Sequence, residues 1–173
     1  MSCILTAAIA ANCRDGVGGV SGLWAVELGA VTGGTSTETA GALTALALEG
    51  SKVMFKWNFA KDSAAFMSDL NTSLENGTTF YKQTLECSFW KWETAKRNEL
   101  KIAATTPICF VVKDNNEQYW LLGMTRGMEM QSGSQATSGK LLGDKNGYTL
   151  TFVGDEPDDV IEVTDSTFIS ALP

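Results

Sequence analysis

The side chains that can do chemistry in this 173-residue chain are four cysteines and twenty carboxylates, and histidine is absent. Without histidine, Ser-His-Asp and Cys-His nucleophiles, histidine-ligated metals and histidine proton shuttles are excluded. Cys3, Cys13, Cys87 and Cys109 have no CxxC spacing, and an all-cysteine zinc site would require all four to converge. We therefore expect free thiols, with Cys87 and Cys109 as small core residues. In an oxidising environment Cys3 and Cys13 can pair.

Carboxylates cluster toward the C-terminal end, where no lysine or arginine accompanies them. The acidic residues after position 145 are Asp155, Glu156, Asp158, Asp159, Glu162 and Asp165. This acidic segment, residues 154–165, can hold a hard cation through oxygen ligands, although a solvated loop is the more ordinary interpretation. Residues 144–147 resemble the opening of a calcium loop, but no later carboxylate has the required spacing, and the pattern favours a turn. No pair of carboxylates is singled out for glycoside hydrolysis.

Charge and motifs also restrict the ligands that we expect. The glycine-rich segments 16–19 and 33–34 lack the sequence context of nucleotide-binding loops. The net charge is −7 and no basic cluster is visible, which argues against specific or tight nucleic-acid binding. An acidic protein can still be located next to DNA, because its negative charge repels the phosphates and keeps the DNA from binding. No apolar run approaches the roughly 20 residues needed to span a bilayer, and the first residues lack a basic signal-peptide region. We predict a soluble protein made in a cytoplasm, with no enzymatic activity and no cofactor.

Strand-like segments separated by Asn-Gly-type turns dominate the second half of the chain. Alternating apolar and polar residues predict a strand over 66–74 and a return strand over 81–89. Between them, Asn76-Gly77 supplies the positive φ angles of a tight hairpin. A helix over 62–75 is the alternative.

Other segments complete the predicted organisation. Strong helix formers predict one helix over 92–104, ended by Pro107. The small, polar segments 29–42 and 131–139 are predicted to be mobile loops, and 43–48 is ambiguous between strand and helical turn. Further strands are predicted at 20–28, 52–61, 108–112, 118–124, 126–130, 148–153 and 160–163. The expected fold is a single mainly β (α+β) domain over 1–173, an antiparallel β-sandwich or barrel with a long hairpin and a flanking helix.

Aromatic residues offer two interpretations. A platform for sugars can be built from Trp57, Phe59, Trp90, Trp92 and Trp120. Several of these stand at strand periodicity, however, which favours the core or a subunit interface. In addition, residues 89–92 (Phe-Trp-Lys-Trp) place large apolar groups on both faces of a strand, as in a segment buried on two sides. Our candidate assembly interface consists of Phe66, Leu70, Tyr81, Phe89, Trp90 and Trp92.

The order of these elements carries a family resemblance. The relevant residues are Asn76-Gly77-Thr78 followed by Thr79-Phe80-Tyr81, the helix with Lys96-Arg97-Asn98-Glu99-Leu100, the turn Asp114-Asn115-Asn116 before Tyr119-Trp120-Leu121-Leu122-Gly123, the Ser/Gly loop that ends in Gly139, and Gly143 to Phe152. Residues 1–5 and 13–20 also contribute to this resemblance. The whole resembles structural proteins of tailed bacteriophages infecting Bacteroidota, most closely tail-tube-type subunits.

The resemblance implies a protein that assembles with itself and with other virion proteins. Such subunits have a β-sandwich or barrel flanked by a helix, and their long hairpins join neighbours into rings that stack as a hollow tube. The 66–89 hairpin is then expected to face the lumen or a neighbour, and DNA passes as non-specific cargo. The resemblance implies location in the virion, with assembly in the host cytoplasm and no membrane. A capsid decoration, head–tail connector or ring protein is the alternative, and a carbohydrate-binding β-sandwich module is the second alternative.

Overall fold

The computed structural model describes Ile9 and residues 16–173, and it shows two β-sheets packed face to face. The prediction of a mainly β, α+β sandwich is confirmed, and the sheets do not form a closed barrel. Cys3 and Cys13, for which pairing in an oxidising environment was the alternative to free thiols, lie outside the described residues.

The strands and helices of the described residues are as follows. The strands are β1 (Val20–Glu27), β2 (Thr35–Thr39), β3 (Ala42–Ala47), β4 (Phe55–Lys56), β5 (Ala65–Ser73), β6 (Thr78–Trp90), β7 (Ile108–Asp114), β8 (Tyr119–Leu122), β9 (Glu129–Met130), β10 (Gln135–Thr137), β11 (Gly147–Glu156) and β12 (Ile161–Val163). The helices are α1 (Leu28–Thr32), α2 (Thr94–Ala103) and α3 (Ser166–Ala171).

The two sheets differ in size. The seven-stranded sheet has the order β2-β3-β12-β8-β7-β1-β4, with β12 and β3 parallel and the other neighbours antiparallel. The five-stranded sheet is antiparallel and has the order β10-β11-β6-β5, with β9 also paired to β11. The pairing of β5 with β6 defines the register of the hairpin that they form.

The core lies between the two sheets and is built around aromatic rings. Phe110 of β7 and Phe152 of β11 face each other with ring centroids 4.9 Å apart. The indole of Trp57 contacts both, with centroids 5.5 Å from Phe110 and 5.8 Å from Phe152. Offset or edge-on aromatic pairs add to the free energy gained from area burial. These contacts tie the β4 region to both sheets.

A second apolar cluster covers the outer face of the seven-stranded sheet. It contains Trp24, Cys109 and Val111, with Phe168 and Ile169 of α3 packed against it. Because β7 is covered on both faces, its first five residues are all buried, and its sequence is a continuous apolar run rather than an alternation. The predicted hairpin of β7 and β8, with its turn at 114–117, is confirmed.

The segment 29–42, predicted as a mobile loop, instead contains most of α1, all of β2 and the first residue of β3. The link between α1 and β2 is tight. A Cβ atom on Gly34 would lie 2.0 Å from the carbonyl oxygen of Ala47, so only glycine fits there. The other predicted loop, 131–139, contains β10, and the Ser134 hydroxyl accepts a 3.0 Å hydrogen bond from the Thr151 amide.

The long strand predicted over 52–61 is wrong, since β4 has only two residues. The chain leaves one sheet and joins the other within this segment. The Trp57 amide donates to the Leu23 carbonyl in the seven-stranded sheet, and the Ala60 amide donates to Ser88 in the five-stranded sheet. This crossing breaks the regular alternation, so that Met54 is 2% exposed whereas Phe55 is 66% exposed.

The helix predicted over 92–104 is confirmed as α2, but α1 and α3 were not predicted. They have five and six residues, too few to show a helical period. Tertiary contacts hold α3: Asp165 caps it by accepting from the amides of Thr167 and Phe168, and also accepts a 3.0 Å bond from the Leu46 amide. The bond from Leu46 is the largest cause of the lowered pKa of Asp165.

Candidate assembly surface

The β5–β6 pair, with nine paired positions, is the longest hairpin of the described residues. Its register pairs Ala65 with Glu86 at one end and Ser73 with Thr78 at the other. Gly77 in the turn has φ +61°, which a glycine adopts without strain. Asn76 does not have a positive φ, so only one of the two positive angles predicted for this pair is present. The predicted hairpin is therefore confirmed, and the alternative helix over 62–75 is excluded.

The closed end of this hairpin projects beyond the rest of its sheet. Strand β11 pairs with β6 only from Trp90 to Tyr81, so the pairs from Asn71–Phe80 to Ser73–Thr78 have no further neighbouring strand. Three residues of strand correspond to about 10 Å. Residues 74–80 are all exposed. The projecting part together with the pair Leu70–Tyr81 at its base, residues 70–81, is called the hairpin end below.

Apolar side chains remain in solvent on the hairpin end. Leu70 is 60% exposed and Leu74 is 94% exposed. Phe80 is also exposed, and Met67 is exposed just before the hairpin end. Strand alternation places Leu70 on the same face as Phe66 and Phe80 on the opposite face, so both faces carry apolar groups. Grouped exposed apolar side chains mark interaction surfaces.

The outer edge of β5 is open over nine residues. No strand of the described part of the chain pairs with it. An open edge presents unpaired N–H and C=O groups to another chain, and proteins usually block it with lysine, proline, bulges or short strands. Strand β5 carries one charged residue, Asp69, with no proline, and its register with β6 is continuous.

The other sheet edges are poorer templates. Strand β2 has five residues and an irregularity in its register after Thr37, β4 has two residues, and β9 and β10 have two and three. Short or irregular edges limit the number of hydrogen bonds that an added strand can form. The β5 edge is therefore the candidate for pairing with another chain.

The six predicted interface residues do not form one surface. Phe89 is buried and packs edge-on against Trp57, with ring centroids 5.7 Å apart. Phe66 is half-buried against Trp120, 6.5 Å between centroids. The exposed members are Leu70, Trp90 and Trp92, and Tyr81 is half-buried.

The exposed members also lie at opposite ends of β6. Tyr81 and Trp90 are nine residues apart on one strand, which corresponds to about 30 Å. Leu70 pairs with Tyr81, whereas Trp90 pairs with Gly147 at the far end of the sheet. The hairpin end and the exposed tryptophans are therefore two separate surfaces.

The sugar platform, the less favoured interpretation of the aromatic residues, is not assembled in the structure. Trp57 and Trp120 pack against the core, as does Phe59. Trp90 and Trp92 are exposed, and Trp92 packs edge-on against Tyr148 with centroids 6.1 Å apart. Only these two tryptophans of the five aromatic residues proposed for the platform stay accessible.

Glu156 of the acidic segment is buried, which the sequence analysis missed. The residue is 2% exposed, and its carboxylate accepts hydrogen bonds from the backbone amides of Thr125, Arg126 and Gly127 at 3.1, 2.7 and 3.0 Å. A buried charge needs such partners. The sequence does indicate this burial, because strand alternation places Glu156 on the same inward face of β11 as Phe152.

A second buried polar side chain, Gln83, supports the same region. Its amide oxygen accepts a 2.9 Å bond from the Gly123 amide, and its amide nitrogen donates to the Asp158 carbonyl at 3.3 Å. The acidic segment is therefore attached to the sandwich through Gln83 and Glu156. In the described residues, no group of three or more Cys, Asp or Glu side chains is arranged to hold a metal ion.

The two described cysteines are buried and free, as predicted. Burial raises the pKa of Cys87 to about 12, with a smaller opposing effect of Lys145. Burial also raises the pKa of Cys109 to about 12, and the Glu156 carboxylate adds to this effect. Thiols with such pKa values are protonated at neutral pH and make poor nucleophiles.

Comparisons with other proteins give no further guidance: no family model, curated protein or solved structure matches this chain. No helix in the described ranges is long and apolar enough to cross a membrane. The open edge of β5 and the hairpin end are therefore the features of the chain that bear most on its function.

Proposed function

We propose that this protein is a non-enzymatic structural subunit that assembles with itself into rings stacked as a tube. The observation that carries the proposal is the open nine-residue edge of β5, held in a hairpin that projects from the sandwich. The resemblance described above extends the proposal to a tail-tube-type subunit of a tailed bacteriophage virion. In that role its partners are copies of itself and other virion proteins, it assembles in the host cytoplasm, and DNA passes through the tube.

Hydrogen bonding at an open edge supplies both affinity and orientation. A strand of another chain that adds to β5 satisfies backbone groups that otherwise bond only to water. Ordering β5 for this contact costs little conformational entropy, because its pairing with β6 already holds it extended.

Apolar burial strengthens the contact. Fully burying an exposed leucine contributes about 1.5–3 kcal/mol. Since Leu70 is 60% exposed and Leu74 is 94% exposed, their complete burial contributes about 2–5 kcal/mol together. A single contact of that size is weak once the entropy of association is subtracted. In a closed ring every subunit makes the contact twice, which favours the ring over isolated dimers.

Charge is compatible with the passage of DNA. The chain has a net charge of −7, and residues 146–173 contain acidic side chains without a lysine or arginine. Glu156 is buried, so the acidic groups that DNA would meet are its neighbours in this segment, such as Asp155 and Asp159. An acidic surface repels the phosphate backbone and keeps DNA from adhering.

Negative-stain microscopy of the full chain, together with its mass by light scattering over a range of concentrations, tests the proposal. Rings or tubes of uniform diameter are expected. A protein that stays monomeric at high concentration would contradict intrinsic self-assembly and favour a capsid decoration or connector that requires a partner.

A second candidate function is glycan binding, and the exposure of Trp90 and Trp92 is the observation that favours it. Tryptophan faces stack on the apolar sides of sugar rings, as they do on other rings. A change in intrinsic fluorescence on titration with glycans, lost in Trp90→Ala, is the expected result. Unchanged fluorescence with a panel of glycans would reject this candidate.

A further inference from the structure

Trp90 stands on the outer face of the five-stranded sheet, beside two hydroxyl groups. It is the last residue of β6 and is 65% exposed. Because side chains alternate along a strand, Trp90 shares this face with Ser88, about 7 Å away. Ser88 pairs across the sheet with Thr149 of β11, whose side chain lies on the same face. The indole and the two hydroxyls therefore belong to one surface.

An ammonium group is held at the same place. Lys145 Nζ donates a 2.9 Å hydrogen bond to the Ser88 hydroxyl and a second bond to the Thr149 hydroxyl. A lysine ammonium has three N–H donors, and the third has no acceptor in the part of the chain that the structure describes. Lys145 also forms no ion pair with any described residue. Its charge is positioned by neutral partners and is not neutralised by them.

The two hydroxyl groups keep protons for another partner, because they accept from the ammonium. Ser88 Oγ and Thr149 Oγ1 are 3.5 Å apart, so at most one of their two protons is shared between them. The cluster thus offers one N–H and at least one O–H to an incoming oxygen atom. A carboxylate is the acceptor that bonds most strongly to such an ammonium donor.

The carboxylates at this end of the sheet leave Lys145 free. Glu93 is already paired with two other lysines, and Asp144 accepts from two backbone amides of its own loop. Glu86 is the next outward residue of β6 after Ser88, and it forms no ion pair with Lys145. An uncompensated ammonium therefore stands next to an exposed indole.

We infer that Trp90 and Lys145 bind one acidic sugar residue of a polysaccharide, with the ring stacked on the indole and the carboxylate bonded to the ammonium. The inference rests on the glycan-binding candidate above and names the class of glycan. Stacking on tryptophan selects a ring with an apolar side, and the free N–H of Lys145 selects the negative charge. The surface lies at the opposite end of β6 from the hairpin end, so it does not overlap with the candidate assembly surface.

Single-stranded nucleic acid also combines rings with negative charge, but this face does not suit it. A nucleic acid strand requires basic groups along several consecutive phosphates. On the outer face of β6, Glu86 follows Ser88. A row of phosphates that continued past Lys145 would meet this carboxylate, whereas a single sugar carboxylate requires only the one ammonium.

Titration calorimetry of the full chain tests the inference. The probes are oligomers of galacturonate, hyaluronan and polysialate, and the methyl ester of each serves as a neutral glycan with the same rings. At least one acidic oligomer is expected to bind about tenfold more tightly than its ester, as a hydrogen bond to a charged group predicts.

Three variants assign the two contacts. Lys145→Gln is expected to remove the preference for the acidic oligomer, and Trp90→Ala is expected to remove the binding of both the oligomer and its ester. The matched control is Lys101→Gln, which loses the same charge from an exposed residue in the last turn of α2 and should bind like the wild type. Circular dichroism checks that each variant is folded.

The outcomes separate the inference from the functions that precede it. Equal affinity for every acidic oligomer and its ester, or a preference that Lys145→Gln leaves unchanged, would overturn the inference while glycan binding stands. A protein that binds neither acidic oligomers nor esters would overturn the glycan-binding candidate as well. Tighter binding of a thymidine oligonucleotide than of every acidic glycan would overturn the inference in favour of nucleic acid. Self-assembly is measured separately by light scattering and stands or falls independently.

Discussion

Leu70 lies directly opposite Tyr81 in the β5–β6 hairpin, at the last position of β6 that is also paired with β11. Beyond this pair the two strands have only each other as neighbours. Leu70 is on the face that carries the core residues Phe66 and Leu85, yet it is 60% exposed because the sandwich ends there. An apolar pattern continued past the end of the core indicates that another surface covers it.

Leu70→Asp is expected to weaken assembly without destabilising the monomer. The carboxylate would have to lose its hydration at the contact, while in the monomer it replaces a side chain that is already in solvent. We expect at least a tenfold rise in the concentration at which oligomers form, measured by light scattering, and a change in unfolding free energy within about 0.5 kcal/mol. The control is Leu142→Asp, which changes an exposed leucine outside the hairpin end. Equal assembly of the two variants would count against a role of Leu70.

Glu156→Gln is expected to destabilise the fold. The substituted amide presents a donor where the carboxylate accepts from Thr125, Arg126 or Gly127, so at least one of these backbone amides loses its partner at a site that is at least partly buried. Leaving such a group unsatisfied costs about 1–3 kcal/mol, more for a charged partner. Urea unfolding measures the effect. The control is Asp158→Asn, an exposed neighbour whose side chain is not used in these bonds; equal losses in both variants would refute the structural role of Glu156.

The thiols of Cys87 and Cys109 are expected to resist modification in the folded protein. With a pKa of about 12, about one thiol in ten thousand is ionised at pH 8, compared with about one in ten for a pKa near 9. A Cys3→Ser/Cys13→Ser background isolates these two groups. Reaction with a chromogenic disulfide is expected to be slow in buffer and rapid in denaturant, and rapid reaction in buffer would contradict the burial.

The raised pKa values of the two thiols also predict that the free energy of unfolding decreases at alkaline pH. The folded state keeps both thiols protonated up to about pH 12, whereas the unfolded chain releases their protons above pH 9. The unfolded state therefore binds fewer protons in this window, and stability falls as pH rises through it. The slope of unfolding free energy against pH is expected to be shallower in a Cys87→Ala variant than in the parent protein. Parallel slopes would contradict the shifted pKa.

The Asp165 carboxylate, which caps α3, is expected to make the stability of the protein depend on pH in the acidic range. Its pKa is lowered chiefly by the bond from the Leu46 amide, so the stabilisation is present above its unfolded pKa, near 3.8, and is lost as pH falls through the lower folded pKa. Asp165→Ala removes the cap and is expected to cost about 0.5–2 kcal/mol at neutral pH. Asp165→Asn keeps a capping oxygen without the charge and should lose this part of the acid dependence. An acid transition identical in the wild type and Asp165→Asn would disprove the coupling.

Local signals in the sequence predicted local structure well. Asn76-Gly77 and the alternation on both sides predicted the β5–β6 hairpin, and helix-forming residues predicted α2. In each case the information lies within a few residues of the element that it specifies. The hairpin was for this reason the part of the candidate surface that could be derived from sequence.

Features that depend on distant contacts were not predicted. The crossing between sheets near Trp57 depends on hydrogen bonds to Leu23 and Ser88, which no local pattern records. The strand β2 consists of threonine, serine and glutamate and resembles a loop, yet pairing with β3 orders it. The placement of Phe89 in the core and of Leu70 in solvent likewise depends on where the second sheet ends.

Hydrogen exchange of the β5 amides tests the central claim most directly. Peptides that cover residues 65–73 are compared in dilute, monomeric protein and in the assembled form, with peptides of the buried strand β7 as the internal reference. Assembly through the open edge predicts that exchange in β5 slows at least tenfold while β7 changes little. Assemblies in which β5 exchanges as fast as in the monomer would contradict the account.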